Sequence, residues 1–191
     1  MMLLVLRITV ATLNVLLFVY FIYTVVAIFR GAAPIPSRRA TIARMLSLAK
    51  VSEGQVLLDL GSGDGRILFS ASKLGAHCRG IEINPLLCWY SRLVAHFLKG
   101  RHIEITRGNF WNVDLSNIDV LTVYLVPKFM SELKAKVLRE MKVGAKVVVA
   151  TYPFPEWEPD IHYKNVYLYT IGSAASRREN SRAQLQRQTP S

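Results

Sequence analysis

The chain has 191 residues, 51% of them apolar and 19% charged, with 24 Lys+Arg against 13 Asp+Glu. That size holds one domain plus an appendage; the apolar share excludes a disordered chain, and the low charge excludes a long coiled coil. Two cysteines, Cys78 and Cys88, are too few for a disulfide framework and lack the clustered partners of a zinc site. Both read as reduced, half-buried thiols, and no metal is expected.

The net charge of +11 sits at the ends. Residues 1–50 hold six basic residues and no acid, 51–171 hold 14 basic and 12 acidic residues, and 172–191 hold four arginines and Glu179. A nearly neutral middle with basic ends suits an anionic surface beside a membrane better than a nucleic-acid groove.

Residues 8–29 carry no charge, and Asn14 is their one strongly polar side chain. As a helix they would span roughly 33 Å, enough for a hydrocarbon core of about 30 Å. The stretch is longer than a signal-peptide core, although Gly31-Ala32-Ala33 would suit a cleavage site. Tyr20, Tyr23 and Phe29 fall where an interfacial aromatic belt would lie. Five basic residues between 30 and 50, against Arg7 on the other side, predict that the rest of the chain is cytoplasmic. Residues 1–30 are thus expected to be a single-pass anchor, and 31–36, with Pro34 and Pro36, a stiff spacer. The lack of a presequence ahead of the anchor favours a bacterial membrane over a mitochondrial one.

Residues 37–171 alternate strand and helix patterns. A helix over 37–48 carries an apolar stripe of Ile42, Met45, Leu46 and Leu48. Strands are expected near 55–60, 78–83, 102–106, 120–125, 145–151 and 166–171, and helices near 66–73, 85–98 and 128–141. Pro85 suits a first turn, and Gly100 and Gly144 suit stops. The alternation predicts an α/β fold, a doubly wound parallel sheet with ligands bound beyond the carboxyl ends of its strands. Residues 172–191 read as a disordered basic tail.

The chemistry sits at three strand ends. After the first comes Asp59-Leu60-Gly61-Ser62-Gly63-Asp64-Gly65-Arg66, a tight turn that lets a ligand approach the backbone. Arg66 stands where a dinucleotide fingerprint needs its third glycine, and no G-K-[ST] follows to make a phosphate-binding Walker loop. After the second strand, Glu82, followed by Ile83, can accept hydrogen bonds from both hydroxyls of a ribose. After the third, Gly108-Asn109-Phe110 offers a polar group for an adenine amine and a ring to pack on its face. Together they fit a nucleoside without a diphosphate, such as S-adenosylmethionine, with its zwitterionic tail near the turn and Asp59.

DLGSGDGR, IEINP, GNFW, YLVP and EWEP, in this order over roughly residues 34–160, resemble the small membrane-anchored class I S-adenosylmethionine-dependent methyltransferases. Their members include the mitochondrial lysine methyltransferases of the adenine nucleotide translocase and of the c-type rotor protein of ATP synthase. Asn84 and Asn109 depart from the aspartates more frequent there. The resemblance implies a Rossmann-like sheet, S-adenosylmethionine bound by Asp59, Gly61, Ser62, Gly63, Gly65, Glu82, Ile83, Asn109 and Phe110, and a protein lysine as acceptor. Enzymes acting on base amines commonly carry Asn or Asp with Pro-Pro-aromatic where this chain has Tyr124-Leu125-Val126-Pro127, which argues against nucleic acid. Tyr124, Leu125, Pro127 and Trp157 are expected to line the lysine slot, with Tyr124 and Trp157 alternatively plain packing residues. No general base is assigned; His77, His96, His102 and His162 read as structural. A membrane-proximal protein is the expected partner. A lipid or other small-molecule acceptor, and a non-catalytic scaffold, are the alternatives.

Overall fold

The computed structural model describes residues 1–29, 37–98 and 102–173. The expected spacer at 31–36, the expected stop at Gly100 and all but the first two residues of the expected tail lie outside them. Helix α1 runs over Met2–Phe29, starting earlier in the chain than the uncharged stretch alone implied, because Met2 to Leu6 extend the apolar pattern and Arg7 is tolerated within it. Its span Met2–Val26 has a mean hydropathy of 2.3 and is the one helix among the described residues long and apolar enough to cross a membrane.

The domain then runs in order as α2 (Arg39–Ala49), β1 (Val56–Leu60), α3 (Arg66–Ala71), β2 (His77–Glu82), α4 (Pro85–Phe97), β3 (Ile103–Arg107), β4 (Val120–Val123), α5 (Met130–Glu140), β5 (Lys146–Ala150), β6 (Ile161–Tyr163) and β7 (Val166–Thr170). The sheet order is β3-β2-β1-β4-β5-β7-β6. Strands β1 to β5 pair in parallel, whereas β7 is antiparallel to β5 and to β6. The all-parallel expectation is therefore corrected at one edge. The reversal of β7 against β6 follows from the short reach between them: Lys164, with φ 55°, and Asn165 turn the chain, and so tight a turn joins only antiparallel strands. β6 escaped the sequence reading because a run of three residues, all exposed, is too short to establish a strand pattern.

Two boundaries also move. β4 stops at Val123, not at 125, and the helix expected at 128–141 opens as a 3-10 turn over Pro127–Phe129 before α5 begins. Pro127 lacks an N–H and fixes φ, which suits a first turn and ends the strand ladder.

Period-two alternation sorts the strand side chains into two cores. Leu58, Leu60, Leu121, Val123, Val147 and Val149 pack with Met130, Leu133 and Val137 of α5. Leu57, Val120 and Val148 face the other way, onto Ile42, Met45 and Leu46 of α2 and Leu68 of α3. Both cysteines are buried outright, deeper than expected, and burial pushes the Cys78 thiol up to about 12. His77 and His102 stack at 4.5 Å beside the amino ends of β2 and β3, away from the carboxyl edge.

Candidate active site

The carboxyl ends of β1 and β2 carry a tightly specified turn. Gly61, Gly63 and Gly65 all have positive φ, 76°, 56° and 82°, a region that side chains rarely enter. The N–H groups of Gly61 and Ser62 donate to the Ile81 carbonyl at 2.9 and 3.0 Å, so β2 holds the turn from below. A Cβ at Gly65 would lie 2.6 Å from the Phe69 ring. One at Gly80, in the middle of β2, would lie 2.5 Å from Leu68 Cδ1 and 2.7 Å from Ser62 Oγ.

Two carboxylates flank the turn. Asp59 is 3% exposed and accepts a hydrogen bond from Thr122 Oγ1 at 2.8 Å, the residue beside it on β4. Burial pushes its pKa up to about 7, with smaller contributions from the charges of Glu82 and Asp64. Glu82 is 5% exposed; its Oε2 accepts from the Gly63 N–H and its Oε1 from the Asn84 N–H, each at 2.7 Å. Burial raises its pKa although those backbone bonds pull the other way. Each carboxylate oxygen can accept more than one hydrogen bond, so Glu82 keeps acceptor capacity. Asp64 is engaged differently: Arg66 Nε donates to it at 2.8 Å, and Arg66 Nη1 donates to the Ser37 carbonyl, tying the turn to the residues ahead of α2.

Two polar side-chain groups here have no hydrogen-bond partner among the described residues, Ser62 Oγ and Asn84 Nδ2. Leaving such a group buried and unsatisfied costs about 1–3 kcal/mol. A turn open to backbone approach, two orphaned polar groups and two carboxylates fit a ligand with hydroxyls and a cationic amine.

The third strand end is less open. Asn109 Oδ1 accepts from the Trp111 N–H at 3.2 Å and caps the 3-10 turn Phe110–Asn112, so it both closes a turn and retains one lone pair. Phe110 is buried in the α5-side core, its ring 4.9 Å from that of Trp111. Ile83 is half-buried just beyond β2.

The structure separates the residues expected to share one slot. Tyr124 is half-buried and packs against the α2-side core, whereas Trp157 is 3% exposed in the α5-side core. Trp157 stacks on Phe154 at 5.2 Å and lies 4.7 Å from Tyr169, whose hydroxyl accepts from the Phe154 N–H. Trp157 is thus buried among rings, and its indole N–H has no partner among the described residues. Leu125 is fully buried and Pro127 is exposed. The sequence reading missed Thr122 and Gly80. Each carried a signal: a lone hydroxyl in the apolar run of β4, and a glycine inside a strand, which marks a close approach.

The strand order, with β7 antiparallel between β5 and β6, and a glycine turn between two buried carboxylates define the class I methyltransferase type of domain. The family model described as the ANTKMT methyltransferase domain matches residues 59–161. The chain is 34% identical over 150 residues to a protein-lysine N-methyltransferase of Saccharolobus islandicus, covering 72% of this chain and 92% of that protein. It is 36% identical over 121 residues to the adenine nucleotide translocase lysine N-methyltransferase of Mus musculus, covering 62% and 52%. The lysine N-methyltransferase of the ATP synthase C-subunit from Xenopus laevis is 32% identical over 145 residues, covering 73% and 63%. Among solved structures, an RNA methyltransferase from Salinibacter ruber in complex with S-adenosyl-L-homocysteine superposes with a TM-score of 0.70 at 34% identity, covering 73% of this chain and 95% of that one. The chain belongs to the ANTKMT methyltransferase domain family. It spans 63% and 64% of the frog and human ATP synthase-directed relatives' lengths and 49% of the rat relative's.

Proposed function

We propose that residues 37–171 form an S-adenosylmethionine-dependent protein-lysine N-methyltransferase held at a membrane by α1. The observation that carries this reading is the pair of buried carboxylates, Asp59 and Glu82, on either side of the three-glycine turn. Asp59 would take the cofactor's ammonium and Glu82 its ribose hydroxyls. Gly61, Ser62, Gly63 and Gly65 would line its tail, and Ile83, Asn109 and Phe110 would border the adenine. When bound, S-adenosylmethionine supplies a methyl group already activated by its sulfonium. The chain's own work is to hold a lysine amine in line and uncharged. Lysine loses its proton near pH 10.4, and an apolar slot favours the neutral form. Tyr124, Leu125 and Pro127, which follow β4, are the residues proposed to border that slot, with Trp157 bracing the neighbouring segment from the other core.

The named relatives methylate lysine on a protein, among them an ATP synthase component and the adenine nucleotide translocase, which supports a protein acceptor here. Basic residues between 30 and 50 support a cytoplasmic-side domain. The name of the Salinibacter protein favours a second reading, RNA methylation; the near balance of 14 basic and 12 acidic residues over 51–171 weighs against it. Incubating the enzyme with methyl-labelled cofactor, membranes and RNA, then separating protein, lipid and RNA, tests the proposal. Label in protein, recovered as methyllysine, is the expected result. Label confined to RNA or lipid overturns it.

A further inference from the structure

Helix α4 faces outward with the wrong chemistry for a soluble surface. Trp89, Leu93 and Phe97 are 65%, 42% and 73% exposed, spaced four apart on one side of the helix. Cys88 and Ser91, on the opposite side, are buried, so the helix is apolar toward both the core and the outside. Such a stripe marks a surface that something covers. Its flanks carry Arg92 and His96, and the helix contains no acid.

The neighbouring element indicates what covers it. Near its carboxyl end α1 touches the domain: Arg107 Nη2, at the end of β3, donates to the Tyr23 hydroxyl at 2.8 Å, and the guanidinium lies 5.5 Å from the Tyr23 ring centroid. Tyr23 is three residues from Val26, where the apolar span closes, roughly 5 Å along a helix axis. The end of β3 therefore sits at the depth of lipid headgroups if α1 spans the bilayer. α4 packs on that strand, with Arg92 Nε donating to the Ile105 carbonyl at 2.7 Å. On its other flank Tyr90 and Val94 border a groove of about 1000 Å³ whose walls also carry Arg39, Lys50, Lys73 and the ion-paired Arg66 and Asp64. Aromatic and apolar residues on a helix without acids, flanked mainly by cations, match an anionic membrane interface.

We infer that the Trp89–Leu93–Phe97 face of α4 rests in the headgroup layer of the membrane that α1 crosses, so that α1 and α4 together hold the cofactor edge of the sheet at the bilayer surface. This contact limits the acceptor to groups within reach of the headgroup layer. The inference rests on the membrane-spanning reading of α1, and it is tested without reading methyl transfer.

The full chain and its Trp89→Phe variant are reconstituted in vesicles of neutral and anionic phospholipid brominated near the headgroup end of the acyl chains. Their difference emission isolates Trp89 from Trp111 and Trp157. The inference predicts that this emission is blue-shifted and quenched about twofold or more by the bromolipid, and shielded from aqueous iodide. Replacing Leu93 and Phe97 by serine weakens that quenching while S-adenosylhomocysteine still binds. Iodide quenching without bromolipid quenching overturns the inference. So does protection from both quenchers, which would mean that a second copy or a protein partner covers the face. A chain that alkaline carbonate strips from the vesicles defeats the reading of α1 as well.

Discussion

Asp59 is a buried carboxylate whose ionised form costs the fold stability. Its pKa is raised to about 7 mainly by burial, so between the ordinary carboxylate range and pH 7 the unfolded chain ionises it while the folded chain keeps the proton. The unfolded state then binds fewer protons, and stability falls as pH rises through that window. Asp59→Asn keeps an acceptor for Thr122 and removes the charge. We expect the variant to be more stable than the parent at pH 8, by up to about 4 kcal/mol, with the difference shrinking as pH falls from 7 and gone near pH 4. Urea unfolding at the two ends of the range checks it, and the same variant is expected to lose cofactor binding. Gly80 gives a steric prediction. Its Cβ would meet Leu68 Cδ1 at 2.5 Å and Ser62 Oγ at 2.7 Å, so Gly80→Ala must displace the turn. A loss of about 1–3 kcal/mol and a weaker cofactor site are expected; an unchanged unfolding midpoint would show that the turn has room.

Among the elements, the parallel strands β1 to β5 and the helices between them were legible because each is a strong apolar pattern bounded by glycine, proline or a polar turn. The glycine turn, Glu82 and Asn109 were legible for the same reason, since they follow strand ends directly. What sequence could not supply was the direction in which side chains face after a strand ends. Tyr124 and Trp157 both follow a strand, yet they enter opposite cores, a choice made by where the chain turns after Val123 and Ala150. β6 was invisible because its pairing with β7 depends on backbone hydrogen bonds, not on an apolar face. Thr122 looked like one polar residue in a buried run until β4 was set beside β1 in register. The two assignments predict different phenotypes. Trp157→Ala should cost about 3–5 kcal/mol of stability, since it empties the ring cluster of Phe154 and Tyr169. Tyr124→Phe should leave the thermal midpoint within a degree or two and reduce turnover with little change in cofactor affinity. A destabilised Tyr124→Phe with normal turnover would assign that residue to packing as well.

At the scale of the whole molecule, the chain places a nearly neutral sheet domain between two basic ends and behind one apolar helix. On the membrane-spanning reading of α1, tethering would raise the effective concentration of acceptors on the same membrane; the contact of Tyr23 with Arg107 sets the end of that helix at the edge where β1, β2 and β3 end. The account depends on that edge holding a sulfonium nucleoside. Calorimetric titration of the purified full chain with S-adenosylhomocysteine at pH 8 and pH 6 tests this most directly. Asp59, with its pKa raised to about 7, would have to release its proton to pair with the ligand's ammonium in the proposed role. One site is therefore predicted, about tenfold weaker at pH 6 than at pH 8, and abolished by Glu82→Ala. The absence of binding at both pH values, or binding indifferent to Glu82, would contradict it.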